Sequence, residues 1–262
     1  MRLDAALIDR GIARSRAQAK ALIQDGAILL NGTVCRKPAQ LVAEADTLTS
    51  TAVPMPYVGR GGLKLERALT VFPVQAAGRI CLDIGASTGG FTDCLLQHGA
   101  AKVYALDVGH DQLAASLRAD PRVISMEGTN IRDIAPDSFP EAMSLIVTDV
   151  SFISLTLVLP YAFPLLQPGG DMLALVKPQF EAGRPALNKH GVVSDPDAHL
   201  RVLETVTASA GAAGFRVCGL CPSGIRGGSG NAEYLLWLSR TAGEHIESAY
   251  ADIVRAALAQ EK

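Results

Sequence analysis

The sequence predicts an α/β protein, a parallel sheet covered by helices on both faces, preceded by a small α+β domain. Three observations predict it. From Arg79 onward, short apolar runs alternate with helical stretches, the pattern of a parallel sheet. A glycine-rich turn, Gly85 to Gly90, directly follows the first of those runs, where open parallel sheets bind nucleotides. Ahead of both, two short helical patterns and an Asn31-Gly32 hairpin signal fill the first fifty residues. The 262 residues, 48% hydrophobic and 19% charged, suffice for one sizeable core plus a small domain and do not read as disordered.

Leu3, Leu7 and Ile8 share a helical face before Gly11, and Ser15 offers an N-cap for a second helix that runs to Gly26. Ala27–Leu30 and Thr33–Arg36 flank Asn31-Gly32, because both central residues of a type I′ turn need positive φ. The first domain is therefore expected over 1–52. Val53-Pro54-Met55-Pro56 breaks helix and sheet patterns alike, so 53–60 reads as a linker and 61–262 as the second domain. There the apolar runs are Ile80–Ile84, Val103–Asp107, Val123–Met126, Leu145–Thr148, Met172–Val176, Phe215–Leu220 and Tyr234–Leu238. The last two are joined without a helix between them and should pair antiparallel at one edge. Ile246, Tyr250, Ile253, Val254, Ala257 and Leu258 give the tail, Glu244 to Gln260, the spacing of an amphipathic helix.

Net charge is −2, yet residues 1–60 hold eight Lys/Arg against five Asp/Glu, so the positive field sits at the N-terminal end. An odd count of cysteines, five, and the absence of a signal-peptide pattern favour a reduced, cytoplasmic protein. Cys218 and Cys221 form a C-x-x-C without the second pair a zinc site needs, so no metal is expected. The uncharged run Val150 to Pro168 carries three prolines and reads as a buried loop and helix rather than a membrane span.

The turn Asp83 to Phe91 has Ser87 where a dinucleotide-binding loop would place its middle glycine, which disfavours a pyrophosphate. Asp107, 24 residues after Asp83, ends the second strand, where an acidic side chain can hold ribose hydroxyls. Asn130 and Asp133 follow the third. Three successive strand ends thus describe a site for an adenosyl group bearing a sulfonium: Asp83, Gly85, Ser87, Gly89, Gly90, Phe91, Asp107, Asn130, Asp133 and Asp149. Strand-end capping is the plainer reading of each acid taken singly.

Lys64, Asp149, Lys177 and Glu233 fall at strand ends or on flanking segments. Each alone reads as a surface lysine or a capping carboxylate; together they imply two cations and two anions at one cleft. A ribose 2′-hydroxyl must lose its proton as it attacks a methyl carbon. Lys177 could accept it, since burial and a neighbouring Lys64 would favour the neutral amine. Asp149 and Glu233 would orient the lysines, and Asp149 would also steady the sulfonium.

Arg2-Leu3-Asp4, Gly11, Ser15-Arg16, Ala19, Leu22-Ile23, Gly26 and Asn31-Gly32 resemble the small αL RNA-binding domain shared by a small-subunit ribosomal protein and several RNA-modifying enzymes. Arg14, Arg16 and Lys20 cluster where a helix N-terminus also favours phosphate; composition alone would make them a solvated face. The expected RNA-binding set is Arg2, Arg14, Ser15, Arg16, Lys20 and Lys37, with Arg60. Gly59–Leu65, Asp83–Phe91, Asp149–Ser154, Val176–Glu181 and Gly228-x-Gly230-Asn231-x-Glu233-Tyr234 resemble the TlyA family, with an FtsJ-like core, over essentially the whole chain. The resemblance implies a Rossmann-like, seven-stranded class I methyltransferase core and S-adenosylmethionine as cofactor. It also implies 2′-O-methylation of cytidine in structured ribosomal RNA or ribosomal subunits, and a Lys64-Asp149-Lys177-Glu233 tetrad. A monomer or a homodimer is compatible with it. Two rivals stand beside this reading. A haemolysin or pore-former, a label often given to such relatives, would leave the cofactor turn unexplained and lacks a spanning segment. A non-catalytic assembly factor would need the RNA domain but no tetrad.

Overall fold

The structure, a computed structural model, describes residues 1–13, 16–52, 55–241 and 250–259. It divides into two compact units, Met1–Met55 and Pro56–Lys262. Arg14, Ser15, Val53, Pro54 and, in the tail, Ile246 lie outside the described residues.

In the first unit, α1 (Leu3–Asp9) and α2 (Arg16–Gln24) precede a three-stranded antiparallel sheet of β1 (Ile28–Leu30), β2 (Thr33–Val34) and β3 (Leu48–Ser50), with β1 in the centre. Leu3 and Leu7 on α1, Ala19 and Ile23 on α2, and Ile28 are fully buried together. Residues four apart share a helix face, so each helix turns one apolar stripe inward. Asn31 and Gly32 have φ of 50° and 79°, as the hairpin signal requires. β3 went unforeseen. Three half-polar residues carry no readable alternation, and β3 exists because β1 offers it a pairing edge.

The expected linker extends less far than residue 60. From Pro56 the chain belongs to the second unit: Tyr57 is buried in its core, and the Val58 N–H donates to Asp93 Oδ2 at 2.8 Å. Proline spacing shows where regular structure stops but not where burial begins.

The second unit opens with α3 (Gly61–Val71). A seven-stranded sheet follows, made of β4 (Ile80–Ile84), β5 (Lys102–Asp107), β6 (Val123–Glu127), β7 (Met143–Thr148), β8 (Leu166–Val176), β9 (Arg216–Pro222) and β10 (Tyr234–Ser239). Its order is β6-β5-β4-β7-β8-β10-β9, parallel from β6 to β8. β10 runs antiparallel to both neighbours, so the expected antiparallel pair forms the β9 edge. Between strands lie α4 (Gly90–Gln97), α5 (Ala115–Arg118), α6 (Leu159–Leu165), α7 (Pro178–Glu181) and α8 (Pro196–Ala212), and α9 (Tyr250–Leu258) closes the chain's described part. The proline-bearing run resolves into a short turn, Leu155–Leu157, and α6.

Alternate residues of each central strand enter different cores. Leu82, Ile146, Met172 and Leu236 pack with α6, α8 and α9, whereas Cys81, Leu145, Leu173 and Leu235 pack with α3 and α4. A period of two thus buries both faces, which is why the strands read as continuous apolar runs. Each fully buried Leu or Ile contributes on the order of 1.5–3 kcal/mol. This sheet carries the carboxyl ends of β4, β5, β7 and β8 to one edge, and the site is built there.

Candidate active site

The turn after β4 lies on its neighbour. The N–H groups of Gly85 and Ala86 donate to Leu106 O at 2.8 and 3.0 Å, and Asp149 N donates to Ile84 O at 3.1 Å. Ser87 adopts φ of 47°, the left-handed conformation a glycine would take freely. Its N–H donates to Asp107 Oδ2 (2.8 Å) and its hydroxyl to Gln112 Oε1 (3.1 Å), bonds that offset the backbone cost. Gly89, at φ 96°, begins α4; a Cβ there would stand 2.2 Å from Leu117 Cδ1, so both conformation and space demand glycine.

Asp107 accepts a second amide, Gly109 N, at 2.7 Å through Oδ1. Capping and ligand binding are therefore not exclusive: two amides fix the carboxylate, and each oxygen keeps a second lone pair for a ribose hydroxyl. Asp83 is fully buried, with Oδ2 accepting from Thr92 Oγ1 at 2.7 Å and Oδ1 without a hydrogen-bond partner. Burial pushes its carboxyl up to about 7; the Thr92 bond opposes this, and the charges of Asp149 and Asp107 add to it.

The four residues of the expected tetrad form two ion pairs. Lys64 Nζ donates to Glu233 Oε2 at 2.6 Å, and Gln179 Nε2 donates to Glu233 Oε1 at 3.0 Å, so both carboxylate oxygens are satisfied. Lys64 and Glu233 are 7% and 2% exposed, a dry pair that neither partner could occupy alone. Lys177 Nζ lies 2.7 Å from Asp149 Oδ1 and donates a hydrogen bond to Ser151 Oγ at 2.8 Å. Phe180 sets its ring 5.8 Å from the same nitrogen.

A cleft of about 180 Å³ opens on the second pair, lined by Gly59, Arg60, Gly61, Gly85–Ser87, Thr88, Gly90, Phe91, Asp149, Ser151 and Lys177. The structure thus brings the glycine turn, Asp149 and Lys177 together, with Arg60 at the rim, where one guanidinium N–H donates to Arg226 O at 3.2 Å. Lys64 and Glu233 are buried and do not line this cleft, so only one of the two pairs opens on it. Asp83, Gly89, Asp107, Asn130 and Asp133 are also outside its lining. Asn130 Oδ1 accepts from Arg132 N and caps the Ile131–Asp133 turn, and Asp133 is exposed. The first-unit cations Arg16, Lys20 and Lys37 are exposed, whereas Arg2 is forked onto Asp4 by two 3.0 Å bonds. Sequence reasoning passed over Thr92, Ser151 and Gln179 as partners. The last two stand inside strings already singled out, each two residues from a charged position, which was the available signal.

A twisted sheet of this order, with a glycine turn at the switch point and paired charges at its carboxyl edge, defines a methyltransferase-type domain. The model for FtsJ-like methyltransferases matches residues 57–240, and that for the S4 domain matches 1–48. The 16S/23S rRNA (cytidine-2′-O)-methyltransferase TlyA of Mycobacterium tuberculosis is 46% identical over 238 residues, covering 90% of this chain and 89% of that one. YqxC of Bacillus subtilis, by its name a candidate rRNA methyltransferase, is 50% identical over 90% of this chain and 85% of its own. A solved structure from Streptococcus thermophilus, described as a candidate hemolysin, superposes with a TM-score of 0.79 at 44% identity, over 98% of this chain and 95% of that one. The chain belongs to the TlyA family of FtsJ-like methyltransferases that carry an N-terminal S4 domain.

Proposed function

We propose that this protein transfers a methyl group from S-adenosylmethionine to a ribose 2′-hydroxyl of ribosomal RNA, with cytidine as the nucleotide. The observation that carries the reading is Lys177, held by Asp149 and Ser151 in a cleft that the glycine turn also lines. The cytidine and the ribosomal target follow the names of the relatives.

The residues present fit the cofactor. Asp83 Oδ1 is a buried acceptor without a donor, Asp107 keeps free lone pairs at the next strand end, and the turn between Gly85 and Phe91 exposes backbone beside them. When bound, S-adenosylmethionine supplies an electrophilic methyl group. Asp149 places negative charge against the cationic end of such a ligand, and Asp107 suits its ribose. Lys177, in its neutral form, takes the proton of the 2′-hydroxyl, and Asp149 compensates the ammonium that results. Lys64 and Glu233 hold the wall behind it. The S4 domain, through Arg16, Lys20, Lys37 and the remaining basic residues, holds RNA backbone by charge and shape. Such a protein works in the cytoplasm, beside ribosomal subunits. Among the described residues no helix is long and apolar enough to cross a membrane, and the hemolysin names of relatives explain none of the site's features.

The test is labelled methyl transfer onto unmodified subunits and free ribosomal RNA, with the modified ribose mapped by mass spectrometry. Lys177→Ala is expected to lower transfer by roughly 100- to 10,000-fold, the range of a lost general base, with S-adenosylmethionine still bound. Full transfer by that variant, or a methyl group on a base instead of a ribose, would overturn the reading.

A further inference from the structure

We infer that Ser151 is a positioning residue for Lys177: its hydroxyl sets the direction in which the lysine nitrogen presents itself to the cleft. This rests on Lys177 acting as the base. Two groups hold Nζ, and they do so differently. Asp149 Oδ1 is 2.7 Å away, yet it takes no aligned hydrogen bond; the contact is a charge attraction, which has no preferred angle. Ser151 Oγ, at 2.8 Å, accepts a hydrogen bond from Nζ, and a hydrogen bond, unlike a bare charge contact, weakens steeply off axis. Asp149 therefore supplies compensation and Ser151 supplies direction. A lysine side chain has four rotatable bonds, and without an angular restraint the ammonium can swing around the carboxylate. The ring of Phe180, 5.8 Å away, blocks one side but fixes no angle.

The serine can do this because its own loop is fastened. Glu181, on α7, accepts from Ser154 Oγ and from Leu155 N at 2.8 Å. The Phe152 and Phe180 rings meet at 5.0 Å. The segment after β7 is thus clamped to the segment after β8 at three successive places, and the Ser151–Lys177 bond is one of them. Ser151 lines the cleft but lies outside the tetrad, and its exposed hydroxyl can direct its own proton to water.

Ser151→Ala and Ser151→Thr are compared under single turnover with saturating RNA. Loss of this bond in Ser151→Ala should slow the step about tenfold, the upper end of what one intramolecular hydrogen bond is worth. The RNA KM and the S-adenosylmethionine Kd should stay within about twofold of the parent, because neither ligand is held by the bond that is lost. Ser151→Thr keeps the oxygen and should recover the rate to within about threefold. A Ser151→Ala rate equal to the parent's, or a Ser151→Thr as slow as Ser151→Ala, would overturn the inference. Should Ser151→Ala lose its folded state, Ser151→Cys carries the test with the same expected loss, since sulfur is a weak acceptor. Lys177→Ala, run in parallel, separates the two claims: an active Lys177→Ala sinks the general-base reading, whereas a dead Lys177→Ala beside a fully active Ser151→Ala sinks only the role of the serine.

Discussion

The basic residues of the first unit expected to meet RNA stand in water, whereas the two ion pairs at the second unit's site are largely buried. Arg16, Lys20 and Lys37 are exposed in Met1–Met55, whereas Lys64, Lys177, Asp83 and Glu233 are each 9% exposed or less in Pro56–Lys262. The same residue types therefore do two kinds of work. An exposed cation keeps its hydration, interacts with a unit charge 4 Å away by only about 1 kcal/mol, and adds to a field that a polyanion can feel from afar. A buried cation is tolerable only with its partner in place, so every buried charge constrains at least one other residue. Removing a buried, paired charge should therefore cost stability, and removing an exposed cation only affinity.

The largest effect is expected at the driest pair. Glu233→Ala strips Lys64 of its carboxylate and Gln179 of its acceptor, leaving an unpaired ammonium in a 7%-exposed site. Urea unfolding should show a loss on the order of 3–5 kcal/mol. The double variant Lys64→Met, Glu233→Leu should regain much of that loss, because neither charge is then left alone, while transfer activity stays low. A Glu233→Ala protein as stable as its parent would show that water reaches Lys64 in solution, and the contrast between the units would shrink accordingly.

Asp83 offers a graded version of the same contrast. Its carboxyl titrates near 4 in an unfolded chain and at about 7 in the fold, so between those values the folded form binds more protons. Stability should therefore fall as pH rises through that window, by up to about 1.4 kcal/mol per pH unit, and level off above 7. His199 acts in the opposite sense: burial lowers its pKa, so its contribution is lost as pH falls below about 6.5, its value in the open chain. Subtracting an Asp83→Asn curve from that of the parent isolates the carboxyl, since both carry His199. Unfolding free energies at pH 5, 6, 7 and 8 decide it; a difference independent of pH would mean that Asp83 is ionised in the fold across the whole range.

Much of this was legible in the sequence, for identifiable reasons. The seven apolar runs became seven strands because both faces of the sheet are buried, and Asn31-Gly32 marked its turn because few other pairs accept two positive φ values. Lys64 and Glu233 stood out in the sequence as charges of one cluster, but their direct pairing did not: 169 positions separate them, and only the packing of α3 against β10 brings them together. The start of the second unit was misplaced because Tyr57 is buried by tertiary packing against Gly62, about which local breakers are silent. Asn130 takes a local role that the sequence also allows: an asparagine just before a helical turn can cap it, and that bond forms. Ser151 and Gln179 stood inside strings already singled out but were not legible as partners, since a serine or glutamine acquires meaning only from the charge it faces.

The smallest effect is expected in the first unit, and it tests the other half of the contrast. Lys20→Ala with Lys37→Ala removes two exposed cations. If both meet phosphate, the slope of log affinity against log salt should become shallower by about 0.7–0.9 for each, as fewer counterions are released. Unfolding stability should move by no more than about 0.5 kcal/mol, and S-adenosylmethionine binding should be unchanged. Arg2→Ala is the informative control. Its guanidinium is forked onto Asp4, itself almost buried, so the substitution strands a carboxylate and should cost stability even though the arginine is half exposed. A Lys20, Lys37 variant that unfolds more readily than the Arg2 variant would mean that exposure is a poor guide to which charges this fold needs.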